Sequence, residues 1–233
     1  MKNSIFILLI GFLFVGCQNS SSPDDGITES KLTSDIEVTE LDFVALKSTL
    51  SGDTEISDAE KEGLLHMREE EKLARDVYKF YSEKWDLRVF ANITKSEETH
   101  MSAVKILIDQ FELEDPIKEE GVFENETLQQ LYNELTNLTA DDIDKAIYNG
   151  LLIEDLDIND LQKLIDETLN EDIKIVYGNL LRGSENHLRA FYSQALKYEV
   201  EYSAQYISQE NFDEIISASA QGGNGRRWKG GRK

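Results

Sequence analysis

The sequence predicts an all-α protein, a four-helix bundle with a long crossover between its second and third helices. Only 2 of the 233 residues are proline, so long helices meet few interruptions. Apolar residues recur at helical spacing in four long segments, and the 40% hydrophobic content is enough for one core. The formal charge is 24 − 46 = −22, which argues against nucleic acid as a partner because phosphate binding requires clustered Lys and Arg.

Residues 1–17 predict a bacterial lipoprotein signal peptide. Lys2 precedes an apolar run, 5–15, that is too short to span a bilayer, which takes about 20 residues. The run ends in Gly16-Cys17, which resembles the lipobox, the site at which a cysteine is lipidated. We therefore expect Cys17 to anchor the exported protein to a membrane of the cell envelope, with cleavage without lipidation as the alternative.

The chain on either side of the predicted bundle is polar. Residues 18–55 predict a tether that holds the bundle, 56–206, away from the membrane. Residues 207–233 predict a short helix and a flexible basic tail rich in Gly and Arg. The tail either contacts the acidic body, lipid headgroups or cell-surface polymers, or only adds solubility.

The first two helices carry clear boundary signals. Ser57 and Glu60 form a capping box, and the helix that follows is predicted to run to about Trp85. The second helix is predicted from about Lys95 to Phe111, before the proline at 116.

A long connection, 117–138, follows with one short helical pattern. The third helix is predicted from Thr139 and Asp142 to the break at 170–171, and the fourth from about Asp172 to Leu196. Two helical hairpins joined by a crossover form a bundle of the kind that builds metal sites in its core.

Acidic residues and histidines lie on all four faces that should be apolar. Glu97 and His100 share the second helix's apolar stripe at i and i+3. On the first helix an ideal wheel favours Glu70 over Glu71, whereas His66 has no comparable setting and is interpreted as a surface or boundary histidine. The complete candidate set is Glu70, Glu71, Glu97, His100, Glu154, Asp157 and His187.

Several buried carboxylates together are strongly unfavourable unless cations compensate them. Few basic residues stand on these stripes. One or two metal ions would compensate the charge, and iron and manganese accept carboxylate and imidazole ligands. The alternative is that these acids lie on the solvated faces of a very acidic bundle.

Three segments, 67–78, 90–101 and 183–191, resemble the DUF2202 family of the ferritin-like superfamily. The resemblance covers 57–206 and implies a ferritin-like four-helix bundle with a dimetal centre. The superfamily's first-helix pattern, Glu-x-x-Ala-x-x-x-Tyr, falls on Glu71, Ala74 and Tyr78, and so favours Glu71 where the wheel favours Glu70. The choice between them stays open.

The remaining superfamily positions match with one exception. Glu97, His100 and Glu154 match, but Ser184 stands where the family pattern expects a glutamate three residues before His187. This implies one metal ion instead of two, a substitute ligand such as Asp157 or Glu185, or a weak site.

Three functions follow as hypotheses. The first is a metal protein that reacts with oxygen or peroxide, so enzymatic activity is left open. The second is metal binding without turnover. The third is a structural or interaction lipoprotein that has kept the bundle and lost its metal. Under each hypothesis a homo-oligomer is one alternative to a monomer.

Overall fold

The all-α prediction is confirmed by a computed structural model that describes residues 46–52 and 54–218. All regular structure within these residues is helical: a single turn at 46–49, then α1 (Asp58–Lys84), α2 (Arg88–Gln110), α3 (Glu126–Thr136), α4 (Ile143–Glu167), α5 (Glu171–Lys197) and α6 (Gln209–Ser217). In this part of the chain no helix is both long enough and apolar enough to cross a membrane. The predicted signal peptide with Cys17, most of the tether and the basic tail lie outside the described residues.

The capping box predicted for α1 is present. The Ser57 hydroxyl accepts a hydrogen bond from the Glu60 N–H at 3.2 Å, and the Glu60 carboxylate accepts one from the Ser57 N–H at 2.8 Å. The same carboxylate also accepts from the Thr168 hydroxyl at 2.6 Å and from the Asn170 N–H at 3.1 Å. One side chain therefore caps α1 and ties it to the turn between α4 and α5.

The second helix begins at Arg88, earlier than the predicted start near Lys95. Leu87, at the N-cap position, makes no side-chain capping bond, so the local sequence carries no start signal. Val89 and Phe90 in the first turn are buried in the core. Tertiary packing, not a cap, determines where this helix starts.

The four long helices run in alternating directions around the bundle. Glu97 of α2 contacts His187 of α5, and His100, further along α2, lies against the earlier residue Gly183, so α2 and α5 are antiparallel. Because α5 is also antiparallel to α4, helices α2 and α4 run in the same direction. The predicted crossover, which includes α3, returns the chain along the length of the bundle.

The apolar core consists of two clusters with a polar layer between them. Leu64, Leu107, Leu161 and Leu180 belong to the cluster at one end, and Leu73, Phe90, Leu151 and Phe191 to the cluster at the other. The acids and histidines singled out in the sequence lie between these positions along each long helix. The polar layer therefore lies in the middle of the bundle, with an apolar cluster on each side of it.

Candidate metal centre

A carboxylate between two imidazoles forms the middle of the polar layer. The two oxygens of Glu97 lie 2.8 Å from Nδ1 of His100 and 2.9 Å from Nδ1 of His187. The two imidazole rings stack with their centroids 5.3 Å apart. The predicted i, i+3 pair on α2 therefore meets the predicted histidine of α5.

Helices α1 and α4 each add a carboxylate to this group. Glu71 Oε2 lies 3.1 Å from Nδ1 of His100, and Glu154 Oε2 lies 3.4 Å from Nδ1 of His187. Both carboxylates are buried. All four long helices thus contribute a side chain to one site.

Asp157, one turn after Glu154 on α4, is the remaining acid of the site. Burial, followed by the negative charges of Glu71 and Glu70, raises its pKa well above the usual value, while hydrogen bonding by the neighbouring Ser184 lowers it. We use the name central cluster for these six residues: Glu71, Glu97, His100, Glu154, Asp157 and His187.

The two residues expected as substitutes for a glutamate at 184 have different surroundings. Asp157 lies beside Ser184, whereas a carboxylate oxygen of Glu185 lies 4.0 Å from the guanidinium of Arg189. Asp157 is therefore the carboxylate available where the family pattern expects one from α5.

Two hydroxyl groups contact the outer sides of the cluster. Tyr78 donates a hydrogen bond to Glu154 Oε1 at 2.6 Å, and the Ser96 hydroxyl lies 2.8 Å from Nε2 of His187. Such outer contacts fix the orientation of metal ligands. They leave Nδ1 of His187 facing the carboxylates.

Gly183 makes room for His100. A Cβ atom at this position would lie 2.3 Å from Nε2 of His100, which is well inside van der Waals contact. The ring therefore packs against the backbone of α5, and only glycine permits that approach.

Glu70 lies outside the central cluster. Its Oε2 is 3.3 Å from Nε2 of His66, and Asp160 Oδ2 is 3.6 Å from the same nitrogen. Adjacent residues of α1 thus face different neighbours: Glu71 faces α2 and Glu70 faces α4. We use the name outer cluster for His66, Glu70 and Asp160.

His66 and Asp160 were not among the sequence-predicted site residues. The interpretation of His66 as an ordinary boundary histidine overlooked its position one turn before Glu70. That i, i+4 spacing was the available signal. Asp160 carries no such signal, because its approach to His66 depends on how α1 and α4 pack.

Burial and the close approach of several ionisable groups shift the pKa values of the central cluster. Burial raises the pKa of Glu71 to about 8, although His100 lowers it. Burial alone would lower the pKa of His187, but Glu97 and Glu154 raise it to about 9. Burial likewise opposes ionisation of Glu97, yet the two imidazoles hold its pKa below the usual range.

The donor atoms of the cluster fit a metal ion. Within the described residues, Glu71 Oε1 and Asp157 Oδ1 are buried without a hydrogen-bond partner. Unpartnered buried carboxylate oxygens are unfavourable unless a cation compensates them. Carboxylate oxygen together with imidazole nitrogen is the donor set that iron and manganese accept.

The fold and the site define an all-helical bundle with a buried cluster of carboxylates and histidines. The chain belongs to the DUF2202 family, described as an uncharacterized protein domain, whose profile matches residues 60–219. The family resemblance noted in the sequence is thereby confirmed.

A relative with a solved structure supports this assignment. The chain is 50% identical over 173 residues to the uncharacterized protein MJ0754 of Methanocaldococcus jannaschii, covering 73% of this chain and 94% of the relative. The crystal structure of hypothetical protein MJ0754 matches with a TM-score of 0.70 and covers 72% of this chain and 98% of the other.

Proposed function

We propose that this protein is a ferritin-like metal-binding protein whose central cluster takes iron or manganese. The observation that carries the proposal is the convergence of six buried acids and histidines from four helices, with oxygens of Glu71 and Asp157 left unpartnered. The ion pairs within the cluster join carboxylates to imidazoles. A metal ion would compensate the remaining negative charge.

The charge balance supports two ions. The cluster contains four carboxylates, from Glu71, Glu97, Glu154 and Asp157, and two imidazoles that are neutral when they bind metal. Two divalent ions would balance all four carboxylates once Glu71 and Asp157, whose pKa values burial raises, release their protons on metal binding. The carboxylate of Asp157 would replace the glutamate ligand that the family pattern expects at position 184, where this chain has Ser184.

Each residue has a role that its contacts support. Glu97, His100 and His187 would hold the metal together, since the carboxylate lies within 2.9 Å of both imidazoles. Tyr78 and Ser96 orient Glu154 and His187 through their hydroxyl groups. Bound ferrous iron would supply the electrons that reduce oxygen or peroxide, and the apolar clusters above and below would exclude bulk water.

The redox proposal is tested by oxidant consumption. The full-length protein is loaded with Fe²⁺ without oxygen and then mixed with hydrogen peroxide or oxygen. We expect oxidant to be consumed in proportion to bound iron, and the activity to be lost in a Glu97→Gln/His100→Gln variant. Glu185→Gln is the matched control, because this partly buried α5 carboxylate lies beside Arg189. Equal consumption by the double variant would contradict the proposal.

Metal binding without turnover is the second candidate. It is favoured by the contacts of Glu97 with both imidazoles, at 2.8 and 2.9 Å, which leave the metal-free site partly neutralised and stable on its own. Iron retained by the wild type but inert toward both oxidants would establish this candidate in place of the first.

We further propose that the protein is a lipoprotein of the bacterial cell envelope, anchored through Cys17. Support comes from the short apolar run and the Gly16-Cys17 junction. Wild type should partition into detergent, and a Cys17→Ala variant should not. Equal partitioning of the two proteins would refute acylation at Cys17.

A further inference from the structure

The outer cluster brings an imidazole and two carboxylates together beside the central cluster. His66 and Glu70 are one turn apart on α1, and Asp160 comes from the facing side of α4. One donor atom from each of the three residues lies within 4.8 Å of the other two. The group spans two helices, so its geometry is set by bundle packing and not by local sequence alone.

Glu70 distinguishes this group from a surface cluster of acids. Its side chain is 2% exposed, and within the described residues neither carboxylate oxygen accepts a hydrogen bond. Burying an ionised carboxylate without such partners is strongly unfavourable. Glu70 is therefore a buried carboxylate that faces the His66 imidazole at 3.3 Å and leaves Oε1 without a partner in the described part of the chain.

Asp160 presents only one of its oxygens to the group. Oδ1 accepts hydrogen bonds from the Asn159 amide at 2.8 Å and from the Lys163 ammonium at 3.1 Å. Oδ2 is the oxygen that faces His66. Oδ1 is thus occupied by two neighbours near the surface, and Oδ2 faces the interior of the outer cluster.

The outer cluster extends from solvent toward the central cluster. The side chains of His66 and Asp160 are 35% and 23% exposed, whereas Glu70 is buried on the inner side. Glu70 also interacts electrostatically with Asp157 of the central cluster. An ion from solvent would reach His66 and Asp160 before it reached Glu70.

We propose that His66, Glu70 and Asp160 form a second, separate site for a divalent transition-metal ion such as Mn²⁺ or Fe²⁺. One imidazole and two carboxylates match the donor preference of these ions. A divalent ion with neutral His66 balances both carboxylates. Without a metal ion, a protonated His66 balances one carboxylate, and Lys163 contacts Asp160 from an exposed position, where solvent screens its charge. The site does not depend on occupation of the central cluster.

Equilibrium dialysis of the full-length protein against Mn²⁺, followed by elemental analysis, tests this site. The variant is His66→Gln/Asp160→Asn, whose two side chains are partly exposed, and circular dichroism establishes that it folds. We expect it to bind about one Mn²⁺ fewer per chain than wild type, because the two ligands removed serve a single ion. The matched control is Asp109→Asn, which removes an exposed carboxylate that also pairs with a lysine.

A second arm separates the outer site from the central one. Glu97→Gln/His100→Gln should lose the central metal and still bind the ion that depends on His66, so a failed central cluster does not hide the outer site. If His66→Gln/Asp160→Asn binds as much Mn²⁺ as wild type with an unchanged dissociation constant, the outer cluster is only an ion pair and the proposal is wrong. A loss equal to that of Asp109→Asn would overturn it in the same way.

Discussion

Two buried aspartates of α4, Asp155 and Asp157, differ in their hydrogen-bond partners. Asp155 is fully buried and accepts four hydrogen bonds from the segment after α5: from the Tyr202 hydroxyl and the N–H groups of Gln205, Tyr206 and Ile207. Asp157 is also buried, but its Oδ1 has no hydrogen-bond partner among the described residues, and its neighbours are other acids. The fold accounts for the burial of Asp155 through its four hydrogen bonds, whereas it leaves Oδ1 of Asp157 without a partner among the described residues.

The same contrast recurs between neighbours on α1. Glu69 accepts the N–H groups of Glu124 and Asn125 at 2.6 and 3.1 Å and so holds the crossover against the bundle. Glu70, the next residue, has no hydrogen-bond partner within the described residues. We call Glu60, Glu69 and Asp155 the clamping carboxylates, since each binds a loop or turn through backbone N–H groups.

Among the substitutions considered, Asp155→Asn should cause the largest loss of stability. The amide of Asp155→Asn presents N–H groups toward buried donors, so we expect the free energy of unfolding to fall by about 3 kcal/mol. Asp157→Asn, two residues away, should lower it far less in the metal-free protein, because it removes a carboxylate from among other acids and breaks no set of backbone hydrogen bonds. Urea unfolding at neutral pH, followed by circular dichroism, measures both.

A comparable loss in the two variants would abolish the distinction between clamping and cluster carboxylates. Metal content should show the opposite ranking. Asp157→Asn should reduce bound metal, whereas folded Asp155→Asn should retain it.

Two glycines of α5 give the next largest contrast. Gly183→Ala forces a methyl group into the His100 ring, and we expect a loss of about 2 kcal/mol together with the metal. Gly178→Ala has open space within the described residues and should stabilise the protein by about 1 kcal/mol, since alanine favours helix over glycine. Thermal unfolding with elemental analysis of both variants tests this; retention of metal by Gly183→Ala would show that the close approach is dispensable.

The smallest effect concerns Glu60 and depends on pH. Burial alone would raise its pKa, but hydrogen bonds from Thr168 and Ser57 lower it from 4.5 to about 2. The unfolded chain therefore binds more protons than the folded protein between these values, so the contribution of Glu60 is complete above pH 4.5 and lost as the pH falls toward 2. Glu60→Gln should lower stability by about 1 kcal/mol at neutral pH, as expected for a lost cap.

Acid titration of the two proteins checks this sign. The difference between wild type and Glu60→Gln should shrink as the pH falls below 4.5. A difference that grows in acid would mean that the carboxylate is not the stabilising form.

The helices and most of the site were predictable because their signals are local. Capping and apolar spacing fixed α1, and the pairing of Glu97 with His100 followed from a single turn of α2. The start of α2 at Arg88 was not predictable, since buried Phe90 and not a cap determines it. The choice of Glu71 over Glu70 also required packing, because both face the interior of the bundle but toward different helices.

The metal content of the full-length protein, purified without a metal-binding tag, tests the central proposal most directly. Elemental analysis should find about two more iron or manganese ions per chain in wild type and in Glu185→Gln than in Glu97→Gln/His100→Gln, since two divalent ions balance the four carboxylates of the central cluster. Glu97→Gln/His100→Gln should lose them. No metal in any of the three proteins, even after reconstitution with ferrous iron, would contradict the proposal that this cluster of unpartnered acids is a metal centre.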